Sequence, residues 1–253
     1  MRLTWDIETD PPVAVIWLVG VLDVETAPEV RLAVATALAT QPAAVVVDLA
    51  GVTVGDDVVL TVFAAMARSA AAWPGCPVVL SGPTGEVAAG LERMSVNRSV
   101  VVHPDRAQAR SALEAVPAPR RFTRRLAASP SVAGPAARAT VVAACEAWRL
   151  GHLTDRAELL VTELVSNAIL HAKTEMELMV ALREPFLHIS VTDSSSAPPR
   201  LMSADSAEAV GGRGLILVEA LATRWGFLPT REGKVVWSML RLDPPRYGGM
   251  SAR

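Results

Sequence analysis

Apolar and polar positions along the first half of the chain fall into short runs separated by longer stretches of helical period. The runs Leu3 to Ile7 and Val13 to Leu22 flank Asp10-Pro11-Pro12 and predict two strands joined by a turn. Thr26-Ala-Pro-Glu29 then has the S/T-x-x-E form of a capping box, with Pro28 in the first turn, where its missing N–H costs nothing. A helix to about Thr40 is expected. It is followed by the run Ala44 to Leu49, a helix from Asp56 to about Trp73, the run Pro77 to Ser81, a helix Gly85 to Met94, the run Ser99 to His103 and a helix Asp105 to Val116. Short strands alternating with helices predict an α/β sheet covered by helices. No glycine-rich phosphate loop follows any of these strands, so no nucleotide site is expected here.

The second half opens on the connector Pro117-Ala-Pro-Arg-Arg121, with Arg124 and Arg125 in a candidate strand. These arginines read either as a patch for an acidic partner or as a solvated strand edge kept from aggregating by charge. A helix from about Val132 to Arg149 comes next, and then one opened by Thr154-Asp155, where Asp155 and Glu158 have the spacing of a cap. In that helix Val161, Leu164, Val165 and Ala168 share an apolar face, while Glu163, Asn167 and His171, four residues apart, form a polar stripe. A stripe of this kind by itself is most often a solvated face. Runs Glu175 to Leu182 and Phe186 to Thr192 predict two strands, the second ending at Asp193. After a polar loop, Ser194 to Val210, the glycines of Gly211-Gly212-Arg213-Gly214 precede a helix to about Leu221, which lets backbone N–H groups approach a phosphate. Strands Thr223 to Leu228 and Lys234 to Leu242 close the pattern, and a frayed tail is expected from Pro244.

Composition changes this picture in three ways. At 253 residues and 51% hydrophobic, with 20% charged, the chain has material for two independent cores and is not disordered. Its net charge of −2 hides a split: residues 1–116 carry 7 basic and 13 acidic side chains, −6, and the remainder carry 17 and 13, +4. An acidic first half argues against nucleic acid as its partner and permits docking of one half on the other. The two cysteines, Cys76 and Cys145, make neither a metal site nor a disulfide framework, which points to a reduced, cytoplasmic setting. The longest uncharged apolar stretches, Val13 to Leu22 and Val58 to Ala67, are ten residues each, about half of a membrane span, so no membrane partner is expected. Asp6, Glu8 and Asp10 do not read as a signal peptide.

Gly20-Val-Leu-Asp23, followed by Val46-Val-Asp48-Leu-Ala-Gly51-Val-Thr-Val-Gly-Asp56 running into a helix, resembles the STAS domain of anti-sigma-factor antagonists over nearly all of residues 1–116. In that family an Asp-Ser-Ser-Gly stretch places the phosphoacceptor serine at the helix N-terminus. Here Asp56-Asp57-Val58-Val59 stands in its place, so Val58 occupies the serine position and no phosphoacceptor is expected, with Thr53 and Thr61 the nearest hydroxyls. Asp57 then reads as a standing negative charge, or Asp56 and Asp57 as helix caps.

Glu163-Leu-Val-Ser-Asn167-Ala-Ile-Leu-His171, Val191-Thr-Asp193 and Gly211-Gly-Arg-Gly214-Leu resemble, in order, the N, G1 and G2 boxes of the GHKL ATP-binding fold. The match is to the anti-sigma-factor serine/threonine kinase branch in its actinobacterial form, and Arg224-Trp-Gly226 through Lys234-Val-Val-Trp237 is similar too. The expected architecture is α/β throughout: a STAS-like sheet covered by helices over 1–116, a linker 117–120, a GHKL (Bergerat) α/β sandwich over 121–243 and a flexible tail 244–253. The resemblance implies ATP and Mg²⁺ as cofactors. By position, Asn167 would ligate Mg²⁺, Asp193 would accept a hydrogen bond from the adenine amino group, and Gly212, Arg213 and Gly214 would close over the phosphates. Glu163 would be the general base toward a serine hydroxyl. His171 either supports this edge or is a half-buried histidine, the latter preferred. The G1 box departs from the wider superfamily, with Asp193-Ser-Ser-Ser-Ala-Pro-Pro199 where glycines follow the Asp.

The implied function is phosphorylation of a serine on a separate STAS protein, in control of a sigma factor. The alternatives are a nucleotide-responsive binding module without catalysis that sequesters a partner, and an interaction scaffold that binds no nucleotide. A STAS-type antagonist or a sigma factor is the expected partner, and homodimerisation is left open.

Overall fold

The structure, a computed structural model, describes residues 1–10, 12–73, 75–197, 199 and 214–242. It divides into two compact units, the first Met1–Arg120 with Thr192–Pro198 and Phe227–Val235, and the second Arg121–Val191 with the remaining segments. Gly212, Arg213 and the tail from Pro244 lie outside the described residues.

The N-terminal sheet has the order β1-β2-β3-β4-β5. Its strands are β1 (Thr4–Asp10), β2 (Val13–Leu22), β3 (Ala44–Val54), β4 (Val78–Ser81) and β5 (Val101–His103). β1 is antiparallel to β2, and β2 through β5 run parallel. The parallel steps are made through helices α1 (Ala27–Ala39), α2 (Thr61–Ala72) and α3 (Gly85–Arg93), and α4 (Arg106–Leu113) follows β5. Strands covered on both faces read as near-continuous apolar runs, as Ala44 to Val47 does. Val13, Val15, Ala44, Val46 and Val79 face Ala109 and Leu113 of α4 in one cluster, while the alternate residues Ala14, Ile16, Val45, Val47 and Leu80 are buried on the other face. β3 runs five residues beyond its apolar run because Gly51 to Val54 continue the ladder with β2, past an irregularity between Trp17 and Val19.

Two local expectations are corrected. Thr26 is the N-cap of α1, with Pro28 in the first turn as expected, but the capping box does not close. Thr26 Oγ1 accepts from the Asp23 N–H at 2.9 Å, and Glu29 instead accepts from Trp5 Nε1 at 3.1 Å. The helix expected from Asp56 begins as a 3-10 turn, Asp57–Leu60, before α2 starts at Thr61.

The C-terminal sheet has the order β6-β7-β8-β10-β9. These strands are β6 (Arg120–Leu126), β7 (Met176–Arg183), β8 (Phe186–Asp193), β9 (Arg224–Pro229) and β10 (Lys234–Arg241), with helices α5 (Pro130–Ala147), α6 (Thr154–His171) and α7 (Gly214–Leu221). Ala137, Val141 and Ala144 of α5 and Leu160, Leu164 and Ala168 of α6 share a core with Leu178 and Val180 of β7, Leu187, Ile189 and Val191 of β8, and Val236 and Leu240 of β10. The period of 3.6 in the helices and of 2 in the strands are here met in one cluster. Asp155 and Glu158 do not cap α6, whose N-cap is Leu153 at the end of a short 3-10 turn. Among the described residues no helix is long and apolar enough to cross a membrane.

His188 of β8 is fully buried and stacks on Trp237 of β10, with ring centroids 5.8 Å apart. Burial, and secondarily the nearby charge of Arg183, pushes its imidazole down to about 3, so it is neutral in the fold. The unfolded chain binds this proton below about pH 6.5 and the native state does not. Stability is therefore fully present above that pH and falls by up to about 1.4 kcal/mol per pH unit toward pH 3. His188→Phe is expected to flatten this acid limb in urea unfolding measured between pH 7 and 4. Gly233, in the turn before β10, packs so closely on β8 that a Cβ would lie 2.0 Å from the Asp193 carbonyl oxygen and 2.7 Å from Ser194 Cα. Both are backbone atoms and cannot rotate away, so Gly233→Ala is expected to cost about 1–3 kcal/mol, read as a lowered melting temperature.

Candidate functional site

α6 presents its apolar side to the C-terminal core and carries the polar stripe along one edge. Burial along that stripe is uneven. Asn167 is 8% exposed, Glu163 is half-buried and His171, in the last turn, is exposed rather than half-buried. Loss of hydration raises the Glu163 carboxyl above the ordinary carboxylate range. Asn167 Nδ2 is buried without a hydrogen-bond partner among the described residues. Such an orphan costs about 1–3 kcal/mol unless something completes it. A half-turn of the carboxamide exchanges nitrogen for oxygen, so the position fits a cation ligand or a polar ligand group equally in shape. From the first turn of the same helix, Arg156 Nη2 donates to the carbonyl of Leu221, tying α6 to the C-terminal end of α7.

The second cluster lies where β8 ends. Asp193 Oδ1 accepts from Lys234 Nζ at 2.8 Å and from the Ser195 N–H at 2.9 Å. Lys234 Nζ also donates to the Ser195 carbonyl at 3.3 Å. Both side chains are out of water, with relative exposures of 2% for Lys234 and 0% for Asp193. Asp193 Oδ2 is buried and has no partner among the described residues. The carboxylate thus has one oxygen committed and one buried without a partner among the described residues, and an amino donor is the kind of group that would complete it.

At the end of β3, Asp56 caps the 3-10 turn by accepting from the Val58 N–H at 2.9 Å. Asp57 does not cap. Its Oδ2 meets Arg93 of α3 at 2.6 Å, and a Cβ on Gly90 would come within 2.6 Å of its Oδ1. Val58 is 58% exposed. The two neighbouring hydroxyls are engaged: Thr61 donates to the Val58 carbonyl at 2.7 Å, and Thr53 to the Gly20 carbonyl at 3.5 Å.

Of the residues singled out in the sequence, Glu163 and Asn167 share α6, Asp193 ends β8 and Gly214 opens α7. Lys234 and Gly233 were given no role by sequence reasoning. One signal was present: Lys234 is one of only two lysines, Lys173 being the other, and it stands directly before the apolar run Val235-Val236-Trp237. Among the described residues no three His, Cys, Asp or Glu side chains gather as a metal site.

Two family models match the chain. The family model described as "Mlab, STAS domain" matches residues 5–103, and that of the histidine kinase-like ATPase domain matches residues 109–239. Among solved structures, an anti-sigma factor antagonist from Mycobacterium paratuberculosis is 26% identical, covers 44% of this chain and 94% of its own, and has a TM-score of 0.38. A putative anti-sigma factor antagonist from Thermotoga maritima is 17% identical over 43% of this chain and 93% of its own, with a TM-score of 0.38. The anti-sigma factor antagonist SpoIIAA in its unphosphorylated form is 16% identical over 45% and 99%, with a TM-score of 0.37. No curated protein matches. With that ATPase domain spanning just over half of its residues and a STAS domain ahead of it, the chain belongs to the histidine kinase-like ATPase family.

Proposed function

We propose that the chain is an ATP-dependent protein serine/threonine kinase of the anti-sigma-factor type, which phosphorylates a serine on a separate STAS protein and thereby controls a sigma factor in the cytoplasm. The observation that carries this reading is the pairing on α6 of a desolvated carboxyl, Glu163, with a buried, unpartnered carboxamide, Asn167, one helical turn away. The domains are taken as 1–116 and 121–243, joined by 117–120.

Each group has a task. Asn167 would hold Mg²⁺ through its carboxamide oxygen; bound there, the ion supplies charge neutralisation at the transferring phosphate. Asp193 Oδ2 would accept from the adenine amino group. Glu163 would take the proton of the incoming serine hydroxyl at a carboxylate oxygen, and its raised affinity for a proton makes it a better base than a solvated carboxylate. Gly212, Arg213 and Gly214 would lie against the phosphates. The acceptor has to come from another protein, since Val58 offers no oxygen and Thr53 and Thr61 already donate to backbone carbonyls.

Two measurements test this. ATP with Mg²⁺ is expected to raise the melting temperature, and Asn167→Ala to abolish the rise. With labelled ATP and STAS proteins that retain their serine, transfer is expected, and Glu163→Gln should cut it by about 100-fold or more while leaving the nucleotide-dependent rise intact. The rate should fall on acidification at a pH above the ordinary carboxylate range, because Glu163 must lose its proton to act. A nucleotide-dependent rise without transfer to any acceptor would replace the kinase by a nucleotide-responsive binding module, and no rise at all would leave an interaction scaffold.

A further inference from the structure

Each sheet ends in two edge strands among the described residues, and the four edges are not alike. β5 has three residues, too few to template a partner strand, and β9 has one charged residue and ends on a proline, which has no N–H to give to a ladder. β1 and β6 are both seven residues long and carry opposite charge. β1 bears Asp6, Glu8 and Asp10 and no basic residue, and β6 bears Arg120, Arg121, Arg124 and Arg125 and no acidic one. Within the chain the two strands are edges of separate sheets, so neither is paired with the other.

Asp6 and Glu8, two residues apart, share one face of β1 and are exposed. Asp6 Oδ1 accepts from the Ile7 N–H at 2.9 Å, which holds that carboxylate against the strand's own backbone. On β6, Phe122 and Leu126 turn to the C-terminal core while all four arginines are exposed, Arg121 and Arg125 on one face and Arg120 and Arg124 on the other. Whichever face of β6 lines up with the acidic face of a partner strand, a guanidinium stands there. No acidic residue lies between Glu114 and Glu146, so the basic character extends past the strand into α5. Charged residues ordinarily keep edge strands apart. Here they do so selectively: β6 beside β6, or β1 beside β1, would oppose like charges, whereas β6 beside β1 opposes unlike ones.

We propose that β6 is a docking edge for β1 of a second copy of this chain, an intermolecular sheet contact selected by charge. Main-chain hydrogen bonds supply the ladder, and Asp6 and Glu8 oppose the arginines across it. Reciprocal exchange of the two strands closes the assembly as a two-fold dimer in which the contact is made twice. The contact uses none of the residues assigned to the nucleotide and stands apart from the function proposed above.

The test is sedimentation equilibrium of the full chain without nucleotide, for wild type, R124E/R125E, D6K/E8K and an equimolar mixture of the two variants. Wild type is expected to associate as its concentration rises, about 10-fold more weakly in ~500 mM than in ~50 mM salt, because exposed charges are screened. Each variant alone sets like charges opposite one another and is expected to associate about 10-fold or more weakly than wild type. The mixture is expected to recover association to within about 3-fold of wild type, since the two reversed edges meet each other and the two unaltered edges meet as before. A wild type that stays monomeric throughout, or a mixture that associates no better than either variant alone, would overturn the proposal. So would association indifferent to both reversals, which would place the interface elsewhere. If either reversal variant does not fold, judged by its melting temperature, R124Q/R125Q and D6N/E8Q take their place. Each is expected to weaken association by about 3-fold or more at an unchanged melting temperature, and no weakening in either would again overturn the proposal.

Discussion

A carboxylate withdrawn from water at the end of a strand has to be met by a cation, and much of the C-terminal site follows from how this chain meets that demand. The desolvation penalty for each ion is several kcal/mol, repaid only when geometry is close and the remaining lone pairs are used. Asp193 and Lys234 satisfy both conditions on one side, with 2.8 Å between Nζ and Oδ1 and the Ser195 N–H on the same oxygen. Arginine reaches carboxylates through a broad planar fork, whereas lysine brings a compact point charge on an apolar stem. That stem suits a strand whose other members, Val235, Val236 and Trp237, are buried as well. The turn ahead of it must come within van der Waals contact of the β8 backbone, and only a residue without a Cβ can stand there. Gly233 and Lys234 therefore act as one device, the first making the approach and the second using it.

α6 divides its polar stripe by the same logic of solvent access. Residues four apart on a helix lie along one edge, but an edge that passes from the core boundary to a free end is not uniformly wet. Asn167 sits deep enough to lose water and to leave Nδ2 unpartnered, Glu163 loses enough hydration to hold its proton more tightly, and His171 stays in solvent. A purely solvated face would treat the three alike. The gradient turns an unremarkable i, i+4, i+8 pattern into one acidic group with altered basicity, one amide with an open valence and one ordinary surface imidazole.

Elements with strong periodicity were legible in the sequence, and those governed by tertiary partners were not. β2, β4, β8 and β10 follow their apolar runs closely, because nearly every side chain of these strands is buried. Capping is a different matter. Thr26 with Glu29, and Asp155 with Glu158, have the right spacing, yet Glu29 is taken by Trp5 and α6 starts directly from a 3-10 turn at Leu153. A side chain with a better partner elsewhere does not cap, and sequence spacing carries no record of that competitor. Lys234 went unassigned for the related reason that its partner is 41 residues away in the chain. Glu163 and Asn167 were marked by their spacing on one helix edge and, like Asp193, given a role by family resemblance, while the burial of each had to come from the fold.

The N-terminal module shows the opposite use of charge. Asp57 and Arg93 meet at 2.6 Å, yet Arg93 is largely exposed, and pairs in that setting contribute about 0–1 kcal/mol. The pair therefore does not hold the turn in place. That is done by Asp56, which caps it through the Val58 N–H, and by Thr61, whose hydroxyl closes on the Val58 carbonyl, together satisfying the backbone groups on both sides of residue 58. Asp57 adds a carboxylate beside Val58, and Arg93 already answers it. Val58 itself offers no side-chain oxygen, so the polar character of this turn comes from Asp56, Asp57 and Thr61 alone. The turn is thus closed by side-chain hydrogen bonds to its backbone, and the charge beside it is set by Asp57 and Arg93.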